Sequence, residues 1–137
     1  MFGKSKQPNK PNNRIDSLIG AGTTIEGNVV FTGGLRIDGA VRGSVSASGD
    51  QSGTLVVSEH AHVDGEINVS HLVINGAVNG PIHSREFLEL QPQARVTGDV
   101  EYNTIEMHLG AIVQGRLVHL VEEGMAKAVE LKLAASH

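Results

Sequence analysis

His60, His62 and Asp64 are the side chains best spaced to do chemistry in this 137-residue chain. Residues two apart on a strand share a face, so the pair of imidazoles with the carboxylate beyond them could begin a metal site. Such a site needs a third convergent ligand and a pocket. The same stretch places Ala61 and Val63 at the alternate, apolar positions, so Glu59, His60, His62, Asp64 and Glu66 are expected on the wet face. His71, His83, His108 and His119 show no mutual spacing of use, and no cysteine is present for thiolate ligation or disulfides. No GxxxxGK[ST] run occurs, so no phosphate-binding loop and no nucleotide dependence are expected. The residues point to no catalytic group, no metal and no cofactor.

The elements that would carry these side chains are set by a pentad, apolar-x-Gly-x-apolar, that recurs six times. It runs Ile25 to Val29, Val41 to Val45, Val63 to Ile67, Val78 to Ile82, Val96 to Val100 and Val113 to Leu117. Its glycines, Gly27, Gly43, Gly65, Gly80, Gly98 and Gly115, are spaced by 16, 22, 15, 18 and 17 residues. That interval is too short for paired-helix repeats and suits one coil of a parallel β-solenoid. Three copies superimpose without gaps: Leu55, Val57, Ala61, Val63, Gly65 and Ile67; Leu88, Leu90, Ala94, Val96, Gly98 and Val100; Ile105, Met107, Ala111, Val113, Gly115 and Leu117. The copy from Ile19 to Val29 is looser, with Thr23 in place of alanine, and reads as a terminal coil.

Two copies are two residues shorter, at Asp38-Gly39 and Asn75-Gly76. A deletion there is expected at a corner, where glycine supplies the positive φ of a tight bend. The widest interval holds Ser48-Gly-Asp-Gln-Ser-Gly53, a small polar surface loop. Period-two apolar pairs such as Leu55/Val57, Ala61/Val63 and Ile67/Val69 predict three short strands per turn. The expected fold is therefore all-β: a three-sided parallel β-helix of about six coils. At a strand spacing of roughly 4.8 Å it would be a rod of about 29 Å, with unpaired strand edges at both ends unless something caps them.

Three regions follow: a basic N-terminal tail (1–15), the β-helix (16–120) and a C-terminal tail (121–137). Residues 1–14 hold four basic residues and no acid, a local charge of +4 against −4 for the whole chain, which leaves −8 for the rest. An acidic rod is a poor partner for a phosphate backbone, so nucleic acid is not expected. The tail is polar, proline-interrupted and expected to be disordered. Phe2 beside Lys4 and Lys6 is the pattern of a weak membrane anchor, a wedge contributing roughly 1.5–3 kcal/mol and each lysine about 1 kcal/mol near an anionic leaflet. Copies arrayed on a polymer would multiply so weak an affinity. The C-terminal tail is rich in Ala, Leu, Glu and Lys, consistent with a short helix, with Val129 and Leu133 four apart. No secretory h-region or spanning run of about 18 apolar residues is seen, and a cytoplasmic protein is expected.

Residues 16–120, with Ile19-Gly-Ala-Gly-Thr-Thr-Ile-Glu-Gly27, Leu35-Arg-Ile-Asp-Gly-Ala-Val-Arg-Gly43 and Leu72-Val-Ile-Asn-Gly-Ala-Val-Asn-Gly80, resemble the bactofilins. The resemblance implies a right-handed β-helix that polymerises end to end, without nucleotide, into non-polar filaments on the cytoplasmic face of the bacterial inner membrane. It also implies a scaffold that recruits cell-wall synthesis or peptidase machinery for cell shape, with Phe2, Lys4 and Lys6 as the membrane-targeting residues. For the polymer contacts, the terminal coils nominate Ile19, Ile25 and Val29 at one end and Val113, Leu117 and Leu120 at the other.

Two other readings compete. Ile19-Gly-Ala-Gly-Thr-Thr-Ile25 looks like one rung of a trimeric left-handed β-helix acyltransferase, but the strict six-residue phase of those enzymes is broken here by deletions and an insertion. An ice-binding or adhesive solenoid would need a column of one residue type, and Thr23, Thr32, Thr54, Thr97 and Thr104 share none.

Overall fold

A computed structural model describes residues 15–48 and 53–120, and every regular element among them is a β-strand. The first coil contains β1 (Ser17–Ile19), β2 (Thr24–Glu26) and β3 (Val29–Phe31); the second contains β4 (Gly33–Ile37), β5 (Ala40–Arg42) and β6 (Val45–Ala47). The third opens with β7 (Gly53–Val57) and β8 (His62–Asp64). From there the closing strand of one coil runs through the corner into the opening strand of the next, giving β9 (Ile67–Ile74), β10 (Ala77–Asn79), β11 (Ile82–Leu90), β12 (Arg95–Thr97), β13 (Val100–Met107), β14 (Ile112–Gln114) and β15 (Leu117–His119). This is the expected three-sided parallel β-helix of six coils. The second face is a sheet of its own, β2-β5-β8-β10-β12-β14, while the long strands join the first and third faces into one nine-stranded sheet.

All pairing is parallel, and it aligns the apolar repeat positions into columns. Leu35, Leu55, Leu72, Leu88 and Ile105 stack on the first face. The two ends of the pentad make the others: Ile25, Val41, Val63, Val78, Val96 and Val113 on the second face, and Val29, Val45, Ile67, Ile82, Val100 and Leu117 on the third. The interior members of these columns form one buried core. Three polar side chains, Thr54, Ser70 and Ser84, are buried as well, and Ser84 is fully so, two residues beyond Ile82 and in register with Val69. Its hydroxyl donates to the Phe87 carbonyl at 2.8 Å, across a bulge in β11 that shifts the register between Ser84 and Phe87. A bulge unpairs backbone groups, and the serine meets one of them.

Two sets of glycines are required for different reasons. The pentad glycines have positive φ, such as +155° at Gly43 and +152° at Gly65, and they stack: a Cβ on Gly65 would lie 2.2 Å from the Gly43 carbonyl oxygen. Gly39 and Gly76, expected to supply positive φ at the shortened corners, do not have it. They are needed for close approach instead, since a Cβ on Gly39 would lie 2.3 Å from the Thr23 carbonyl oxygen and one on Gly76 2.2 Å from that of Ser58. The shorter corner draws the backbone against the preceding coil, and only a residue without Cβ fits there.

Candidate assembly interface

An interior apolar position of this fold is sealed by the coils on either side, so the terminal coils decide what the rod can do. On the first face Leu90 is 0% exposed, whereas Met107, its register partner in the last coil, is 46% exposed. On the third face Val100 is 0% exposed and Leu117, its partner, 45%. Val113 and Ile105 are partly buried, packed against the core from the last coil. Leu120 sits just past β15, with its N–H donating to the Tyr102 carbonyl at 2.6 Å, and is half-buried. At the other end Ile25 and Val29 are half-buried, but Ile19 and Phe31 are closed off, each at 7%. All six nominated interface residues therefore lie in the two terminal coils. Phe2, Lys4 and Lys6 lie outside the described residues, as do the helix-like tail and the centre of the polar loop.

The sequence reading missed the residues that surround those positions. Leu18, Val30, Leu109, Ile112 and Val118 are exposed, all in the first or last coil. One outward column shows the pattern: Val30, Ser46, Asn68, His83, Glu101 and Val118 lie in register, polar in the four interior coils and valine in both terminal ones. The signal was present as apolar doublets that break the in-out alternation, Val29-Val30 and Leu117-Val118. The terminal strands also carry free edges, since β1, β2, β3, β14 and β15 each pair on one side only among the described residues. Such edges, with apolar side chains beside them, template further strand pairing.

The lateral faces hold the coils together through polar contacts between them. His83 bridges three coils, with Nε2 2.9 Å from Glu66 Oε2 and Nδ1 2.8 Å from Glu101 Oε1. Asn28 Oδ1 accepts from the Ser44 N–H at 3.0 Å, and Asn75 Oδ1 from that of Gln93 at 2.9 Å. Hydrogen bonds from the Ser58 hydroxyl and from Arg36 hold the Asp38 carboxyl below its ordinary 3.8. Asp99 is lowered by the backbone N–H of Arg116 at 3.1 Å, then by its guanidinium at 3.3 Å. His62 and Asp64, the opening candidates for chemistry, pair with each other at 2.9 Å on the exposed second face. No third donor joins them among the described residues, and the one convergent set of possible ligands is Glu89, Glu106 and His108.

Fold and ends together define a class: a β-helical rod whose two terminal coils present strand edges and apolar side chains. Residues 17–118 match the bactofilin family, described as polymer-forming cytoskeletal, and the chain belongs to that family. It is 26% identical over 113 residues to Bactofilin BacP of Myxococcus xanthus (strain DK1622), covering 82% of this chain and 45% of that protein. Against Bactofilin BacO of the same strain the identity is 28% over 102 residues, 74% of this chain and 78% of the relative. The chain thus spans less than half of one relative and over three quarters of the other. No solved structure matches with significance.

Proposed function

We propose that the rods join end to end through their terminal coils into nucleotide-independent, non-polar filaments that serve as a cytoskeletal scaffold. The observation that carries this reading is the opening of the inner columns at the last coil, from fully buried Leu90 and Val100 to half-exposed Met107 and Leu117. Docking a second rod there buries those side chains and pairs the free edges. The two ends are chemically unlike, so a filament without polarity must join like to like, alternating the two kinds of contact. Half-buried Ile25 and Val29 serve one joint, where Ile19, nominated with them, is already closed off within its own rod; Val113, Leu117 and Leu120 serve the other. The tail with Phe2, Lys4 and Lys6 would hold such a filament on the cytoplasmic face of the inner membrane, where it would recruit cell-wall synthesis or peptidase proteins. Among the described residues no helix is long and apolar enough to cross a membrane.

The test is sedimentation and negative-stain microscopy of the purified chain, without nucleotide, beside Val113→Arg. Filaments are expected from the parent chain, and β-rich dimers from the variant, because the opposite joint survives. Monomers from Val113→Arg would mean that unlike ends meet in a polar filament, and unchanged filaments would remove the last coil from the contact. Discrete trimers of the parent chain would favour the acyltransferase-like reading. Flotation of the same material with anionic liposomes, with and without residues 1–14, reads the anchor; equal flotation rejects it.

A further inference from the structure

We propose that Glu89, Glu106 and His108 form a binding site for a divalent transition-metal ion, which ties the fifth coil to the sixth. Glu89 and Glu106 are register partners on β11 and β13. The apolar positions on either side of them, Leu88 and Leu90 in one strand and Ile105 and Met107 in the other, belong to the inward set, so both carboxylates stand on the outer face. His108 follows Glu106 by two residues and returns to the same side. Its N–H donates to the Leu90 carbonyl at 2.9 Å, which fixes the end of the strand against the preceding coil.

The three side chains each offer a ligand atom, and these atoms lie within 4.8 Å of one another. His108 Nε2 is 2.9 Å from Glu89 Oε2 and 3.3 Å from Glu106 Oε2. A tetrahedral zinc ion with ligands at about 2.0–2.2 Å separates neighbouring donor atoms by about 3.3–3.6 Å. The set therefore needs only small movements to accept the ion. Gln91 Nε2 lies 3.3 Å from Glu89 Oε2 and steadies that carboxylate.

Charge favours occupancy as well. Two carboxylates in register on adjacent strands repel each other, and a dication cancels both. One imidazole with two carboxylates suits zinc and its neighbours, whereas magnesium and calcium prefer oxygen donors alone. Glu106 and His108 are partly open to solvent, which leaves room for water to complete the coordination shell. The carboxylates stand on the outer face, beside the exposed Met107 and Leu109 of the last coil, and the case for the ion uses no premise from the assembly reading.

The deciding measurement is isothermal titration of the full chain with zinc ion alone, in a weakly coordinating buffer, with magnesium run in parallel. One zinc per chain is expected. At least tenfold weaker binding is expected for Glu106→Gln and for His108→Ala, with His62→Ala unchanged. Zinc should raise the melting temperature of the parent chain and not of those two variants, because an ion bound only by the folded state stabilises it. Absence of saturable zinc binding, or binding undiminished by Glu106→Gln, would overturn the proposal. Glu106 is exposed and Gln keeps its shape, so that variant decides even if His108→Ala fails to fold.

Discussion

The four interior coils and the two terminal ones are written in the same repeat yet have different surfaces. Leu72 and Leu90 are sealed on both flanks, while Met107 and Leu117 fill equivalent inner positions and stay half open. The outward column makes the reverse comparison, polar from Ser46 to Glu101 and valine at either end. In a solenoid, burial is not a property of a residue's own coil but of the coil stacked upon it. The same side chain is folding core in the middle of the rod and binding surface at its end.

Paired substitutions sharpen that distinction, and the largest effect is expected in the interior. Leu72→Ala leaves a cavity with neighbours on both flanks and should cost about 2–5 kcal/mol in urea denaturation. Leu117→Ala removes a half-exposed side chain and should cost the isolated rod only about 1 kcal/mol. Its effect should appear in sedimentation, as loss of polymer. On a Val113→Arg background, which keeps that joint open, equal destabilisation by the two would mean that the last coil is already covered within its own rod and is no interface.

The stacked glycines give a smaller contrast. Gly65 and Gly27 both have positive φ, at +152° and +136°, so alanine at either is strained by about 1–3 kcal/mol. At Gly65 the new methyl also meets the Gly43 carbonyl oxygen, whereas at Gly27 no atom lies within 4 Å. Gly65→Ala should therefore lower the melting temperature more than Gly27→Ala. Matching shifts would show that φ alone, and not the approach of successive coils, selects glycine in the pentad.

The columns of the core were legible in the sequence because period-two alternation and the pentad write the same register twice. Every pentad residue from Ile25 to Leu117 falls in the column that its spacing predicts. Gly39 and Gly76 were recognised as corner residues for the wrong reason, since a sequence shows a glycine but not the Thr23 or Ser58 carbonyl pressed against it. Glu89 and His108, or Glu66, His83 and Glu101, are distant in sequence and meet only through the stacking of coils. The terminal exposure was half legible. The nominated Val113 and Leu117 follow from the edge argument, but Leu18, Val30 and Val118 occupy outward positions, which the inward apolar repeat does not mark.

The smallest expected effect lies in the corner carboxylates, and it again separates the interior from the end. Asp38 is held below 3.8 by Ser58 of the next coil and by Arg36, and Asp99 by Arg116 of the last coil. A depressed carboxyl stabilises the folded state above its unfolded value, so each contribution is present above about pH 3.8 and disappears as pH falls through the lower folded value. Asp38→Asn should lower stability at pH 7 by at most about 1 kcal/mol, the range of an exposed ion pair. That difference should shrink in acid, in urea titrations run on a Val113→Arg background to prevent polymer growth. Asp99→Asn should show a weaker pH dependence, because the guanidinium that helps hold Asp99, that of Arg116, is 81% exposed, against 49% for the Arg36 partner of Asp38. A larger acid-dependent change at Asp99 than at Asp38 would show that the last corner is as firmly set as an interior one, and that the looseness of the terminal coil is confined to its apolar side chains.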